Sequence, residues 1–293
     1  MIPGLLLALV SAALINTGFL LQHRGLDHAG SGGMLSRLRR ALRDPAWLAG
    51  QALGWIGFAA QIVAVAIAPL SLVQAFAAGG LALSVPVAAG IFRQPITGTQ
   101  LLAVLAIAAG LAALPLGFST ARDHLNPDAL TLAVAAGAAA GLIVARPAAE
   151  WTRAIAAGVF YGIADAAIKA VSLGWGAHGP AALWSGWTAV AAVATFAGFL
   201  AFQSALQGRR PVAAISLMTG MAALAALACG MLAFGESLGI DPMAATTHVA
   251  AIAIVLAGIP VLAAAQAAMA DPADALQQRP PEPVAVPVGH HTR

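Results

Sequence analysis

Apolar residues run along this chain in long continuous blocks, each about as long as a helix needs to cross roughly 30 Å of hydrocarbon. The pattern predicts nine spans, at approximately 2–22, 46–68, 70–92, 99–117, 127–145, 151–174, 181–206, 211–234 and 244–268. Alternation of apolar and polar positions, the mark of a barrel strand, is missing, so an all-α integral membrane protein is the expected fold class. Trp47, Trp151, Trp175, Trp184 and Trp187 fall near span ends, where an interfacial aromatic belt is expected, and only Trp55 lies deeper. The first apolar block has no basic segment before it and no small-residue cleavage site, so it reads as a retained span.

Composition agrees with that pattern. The chain of 293 residues is 60% hydrophobic and only 9% charged, far from the roughly one-quarter charged content of soluble domains. Its net charge of +3 is carried by arginines in short connecting segments, which reads as a topology signal rather than as a nucleic-acid surface. Arg24, Arg37, Arg39, Arg40, Arg43, Arg93, Arg146, Arg153, Arg209, Arg210, Arg279 and Arg293 all fall on one side if the N-terminus is outside and the C-terminus cytoplasmic. The opposite connections hold only Arg122, which places the chain as a multi-pass protein of the cell membrane. Cys229, the single cysteine, reads as a small packed residue. From Asp271 the text becomes proline-rich and unperiodic, a disordered cytoplasmic tail in which His290 and His291 read as solvent-exposed.

Against this apolar background Asp165 and Lys169 stand out, one helical turn apart in GVFYGIADAAIKAVSLG. A charge near the centre of a span costs roughly 2.5–3.5 kcal/mol on insertion scales, so such residues face a protein interior or a cavity. An acid four residues before a lysine also suits an intrahelical ion pair, and spacing alone leaves both uses open. Asp165 is the one carboxylate that the pattern places at membrane depth. His248, near the outer end of the ninth span, reads as a helix contact, with a proton-relay role as the alternative.

The two halves echo each other. Gln61 precedes Pro69 by eight residues and Gln203 precedes Pro211 by eight; the same offset of 142 carries Phe92 onto Phe234 and sets Arg93 and Gln94 opposite Gly235 and Glu236. An offset of 149 pairs Asn16 with Asp165 and Gly25 with Gly174. Residues 1–117 then form a first repeat of four spans, 118–150 a linking span, 151–270 a second repeat of inverted orientation and 271–293 the tail. Inverted repeats commonly build carriers with a site near the midplane. Gln61 and Gln203 would face such a site, or else hydrogen-bond neighbouring helices; the same choice applies to Gln74, five residues beyond Pro69. Gly79, Gly80, Gly110 and the GxxxG pair Gly137 and Gly141 suit close helix approach, and Pro86 is placed to kink the third span.

Four stretches carry a resemblance: NTGFLLQHRGL, WLAG, AIAPLSLVQAF, and IADAAIKAVSLG followed by QSALQGRRPVAAISLMTG. Together with FGESL they resemble the drug/metabolite transporter superfamily (EamA-like), and within it the NIPA-type magnesium transporters. The resemblance implies a nine-span carrier with its N-terminus outside. It implies magnesium or another divalent cation as one substrate class and a small polar metabolite or drug, in the wider superfamily's manner, as the other. For a polar solute, Asp165 and Lys169 would line the pathway, Asn16, Gln61, Gln74 and Gln203 would offer neutral hydrogen bonds, and Asp165 would be the place for proton coupling.

A membrane scaffold that transports nothing is the further alternative. An enzyme is not expected, because no phosphate loop, GxSxG elbow or HExxH occurs. No cofactor and no nucleic-acid partner is expected; the partners are the lipid bilayer, a small solute or ion and, as a homodimer, a second copy of the chain. No metal-ligand set is defined by spacing.

Overall fold

The computed structural model describes residues 2–28, 34–80, 98–113, 124–146, 149–207, 211–236 and 242–270. Pro86, Phe92, Arg93, Gln94, Arg122, Arg209, Arg210 and the tail with His290 and His291 lie outside the described residues. Among the described residues every regular element is helical: α1 (Ile2–His28), α2 (Met34–Ala41), α3 (Pro45–Ile67), α4 (Leu70–Gly79), α5 (Gly98–Ala113), α6 (Pro127–Ala145), α7 (Glu150–His178), α8 (Gly186–Leu206), α9 (Pro211–Ala233) and α10 (Pro242–Ala270). Among the described residues five stretches are long and apolar enough to cross a membrane, at Ile2–Leu26, Pro45–Ile67, Pro127–Ala145, Trp151–Trp184 and Gly186–Leu206. The protein is therefore a helical membrane protein, and its outward apolar side chains, such as Leu6, Leu132, Leu142, Phe196 and Trp184, are suited to lipid.

Each expected span has a helix over at least part of it, but the ends differ where backbone chemistry intervenes. The sixth span runs on to His178, and a 3-10 turn at Gly179–Trp184 separates it from α8. Gly179, at φ +57°, makes that reversal, because a left-handed conformation is readily adopted without a Cβ. Helix α2 lies in the arginine-rich connection that sequence patterning left without structure. Its Ala41 is buried and Leu38 packs on the core, while Arg39 and Arg40 are exposed.

Helix α7 is the axis of the bundle. About 78% of its most apolar window is buried inside the protein, against 11% for α6, so α7 is enclosed by protein and α6 lies on the periphery. Small residues make that enclosure possible. A Cβ on Gly162 would stand 2.8 Å from the Ala222 carbonyl oxygen, so α9 approaches α7 backbone to backbone. On its other side, the GxxxG face of α6 receives α7: a Cβ on Gly137 would meet Ile163 and one on Gly141 would meet the Phe160 ring. Helices α1 and α3 pair in the same manner, through Gly18 and Gly50. Cys229 is buried in the main core, with Phe234, Leu70 and Val255.

Two positions add to expectation. Trp47, in the first turn of α3, is buried within the protein, and Gly25 leaves room for it: a Cβ there would lie 2.5 Å from the Trp47 Cβ. Asp165 is not the only buried carboxylate, since Glu236 is buried as well.

Candidate functional site

The site begins with a proline. Proline has no N–H and pushes the residue before it toward extended backbone, so α3 ends at Ile67, Ala68 adopts φ −141° and ψ 159°, and α4 restarts at Leu70. A helix end leaves carbonyls unpaired and a helix start leaves N–H groups unpaired. In apolar surroundings each such group costs several kcal/mol unless something satisfies it.

Two charged side chains from the second half of the chain do so. The Lys169 ammonium of α7 donates to the carbonyl oxygens of Ala68 (2.9 Å) and Val65 (3.2 Å). The Glu236 carboxylate, just beyond α9, accepts from the backbone N–H of Leu70 (2.6 Å) and of Ser71 (2.8 Å). Each charge also has the sign that its helix end favours, cation at the carbonyl end and anion at the amide end. Lys169 is 2% exposed and Glu236 7%, so both interactions operate away from bulk water.

Local geometry around Glu236 is built for this contact. Gly235, at φ +66°, turns the chain so that the Glu236 N–H returns to the Gly230 carbonyl at 3.2 Å. Gly230 leaves space for the carboxylate, because a Cβ there would stand 2.6 Å from Oε2. The N–H of Asn126 joins the same turn through the Ala233 carbonyl (2.8 Å), and Asn126 caps α6.

One turn before Lys169 on α7, Asp165 accepts a 2.6 Å hydrogen bond through Oδ2 from the Gln74 amide of α4, and both are buried. Asp165, Lys169 and Gln74 are thus gathered at the α3–α4 break. The remaining predicted residues lie elsewhere. Gln61 meets Ser11 of α1, 3.2 Å from its hydroxyl, which also donates to the Gly57 carbonyl at 2.7 Å. The Gln203 amide donates to Gln22 of α1 at 2.6 Å, and Asn16 is buried on α1. The two echoing glutamines both fasten helices to α1. His248 sets Nδ1 2.7 Å from the Ala244 carbonyl of its own helix.

A second clamp lies at the other end of α7. There Arg37 donates to the carbonyls of Gln207 (3.2 Å) and Leu26 (3.0 Å), His23 Nδ1 lies 3.2 Å from the Leu206 carbonyl, and Arg153 donates to the Ser204 hydroxyl at 2.7 Å. Arg153 and Lys169 sit on the same helix 16 residues apart, about 24 Å along its axis.

No protein family, curated protein or solved structure matches the chain. Among the described residues no group of three or more His, Cys, Asp and Glu side chains is placed to hold a metal ion.

Sequence reasoning missed Glu236 as a structural anion, and it missed Gln22, Ser11, Arg37 and His23. Glu236 carried a usable signal, an acid directly after a glycine at the end of an apolar run. The others had none, because their partners are backbone carbonyls and amides on distant helices.

Proposed function

We propose that this chain is a secondary transporter that moves a small polar solute by alternating access, with nine spans arranged as two inverted repeats of four about the linking helix α6. The observation that carries the reading is the buried, charge-clamped break between α3 and α4, with Asp165 and Gln74 beside it. Buried ionisable and polar side chains that face the protein interior of a membrane bundle commonly mark a solute or ion pathway.

The two clamps support the inverted arrangement. At one end a cation of the second half, Lys169, meets the terminal carbonyls of α3, the second span of the first half. At the other end the Arg37 cation and the His23 ring of the first half meet the terminal carbonyls of α8, the second span of the second half. The arginine distribution supports a cell-membrane protein with its N-terminus outside and its C-terminus cytoplasmic. A polar solute is preferred over a divalent cation because a buried ammonium lies one turn from Asp165.

The test is flux in proteoliposomes with a panel of labelled polar solutes and, in a separate arm, magnesium. Asp165→Asn is expected to abolish flux of whichever solute the wild type carries while leaving the folded fraction unchanged. Full flux in that variant overturns the role of Asp165. Flux of magnesium alone replaces the solute reading with the divalent-cation one.

A further inference from the structure

The carbonyl end of α3 has the chemistry of a cation site. The carbonyl end of a helix favours cations, because its unpaired oxygen dipoles converge where the helix dipole is negative. Here Val65 and Ala68 turn their carbonyl oxygens to one point, held by the extended backbone at Ala68 that Pro69 imposes. An ammonium occupies that point, nearly excluded from solvent, and it is delivered by the side chain of Lys169.

We propose that this position is a monovalent-cation site whose occupant is built into the chain: the Lys169 ammonium stands where a free alkali or small alkylammonium ion would bind. A positive charge suits the break, since the Glu236 carboxylate lies at its other lip, Asp165 stands one turn away on α7 and the carbonyls themselves are neutral. A tethered cation is present at every concentration of salt, so the break stays closed without a bound ion. The inference concerns the break alone and does not depend on what, or whether, the protein transports.

Thermal unfolding of purified full-length protein tests it, with wild type, Lys169→Ala and Lys169→Met compared in choline, sodium, potassium and methylammonium chloride at constant ionic strength. Wild type is expected to melt at the same temperature in all four salts. Lys169→Ala is expected to melt lower in choline and to recover in methylammonium or an alkali salt, with a Tm that rises with the logarithm of its concentration above the dissociation constant. Lys169→Met, whose side chain refills the space without charge, is expected to melt lower and not to respond. An Ala variant that ignores every small cation, or a Met variant or wild type that responds as strongly, overturns the proposal. If Lys169→Ala yields no folded protein in choline, recovery of folded protein by methylammonium during purification supports the site, and equal failure in both overturns it.

Discussion

Replacing Glu236 by alanine removes the acceptor from two buried backbone N–H groups at once. Leu70 and Ser71 donate to it at 2.6 and 2.8 Å, and no intrahelical carbonyl is within reach of the first amides of a helix. Hydrogen bonds to a charged group contribute about 1.5–3 kcal/mol each, and breaking a buried charged contact from one side costs roughly 3–5 kcal/mol. At ~2–4 °C per kcal/mol, Glu236→Ala is expected to lower Tm by roughly 6–20 °C. Glu236→Gln keeps one carbonyl acceptor and should lose about half as much, so the order is wild type, Gln, Ala. Gly230→Ala provides an independent check, because its Cβ intrudes 2.6 Å from Oε2 and displaces the carboxylate without removing it. Tryptophan fluorescence during heating in detergent measures Tm, and hydrogen exchange at residues 70 and 71 locates the effect. If Glu236→Ala melts within about 2 °C of wild type, or those amides exchange no faster, the carboxylate does not hold the start of α4.

Four further variants have expected outcomes. Gln74→Ala deprives Asp165 of its amide donor and is expected to cost roughly 1–3 kcal/mol, read as a lower denaturation midpoint. Asp44 caps α3 by accepting from the N–H groups of Ala46 (2.8 Å) and Trp47 (3.0 Å), so Asp44→Ala should lose about 0.5–2 kcal/mol in the same assay. Gly18→Val forces a Cβ to 2.6 Å from the Gly50 carbonyl and should lower Tm clearly, whereas Gly176→Ala, with open space around it, should leave Tm unchanged or slightly raised.

Much of the site was legible before any fold was known, and the parts that were not share one cause. Asp165, Lys169 and Gln74 declared themselves because a polar group inside an apolar run needs a partner, whatever that partner is. Gln61 and Gln203 declared themselves equally, yet the fold bonds each to α1, at Ser11 and Gln22. Spacing specifies how far apart two residues lie on one helix and is silent on which neighbour their face meets. Trp47 shows the same limit: its position at a helix start was legible, and its burial beside Gly25 of α1 was not.

Sequence by itself determined that the chain is helical and membrane-embedded, because hydropathy over a span and the preferences of proline and glycine are local properties. It also determined the break at Pro69, since the missing N–H and the steric demand on Ala68 act within two residues. Only the tertiary structure decided what closes that break. Lys169 reaches a carbonyl 104 residues earlier in the chain, and Glu236 reaches an amide 166 residues earlier. The energy of a buried charge depends on the dipoles that surround it in space, and those are assembled only when α7 and the end of α9 pack against the end of α3 and the start of α4.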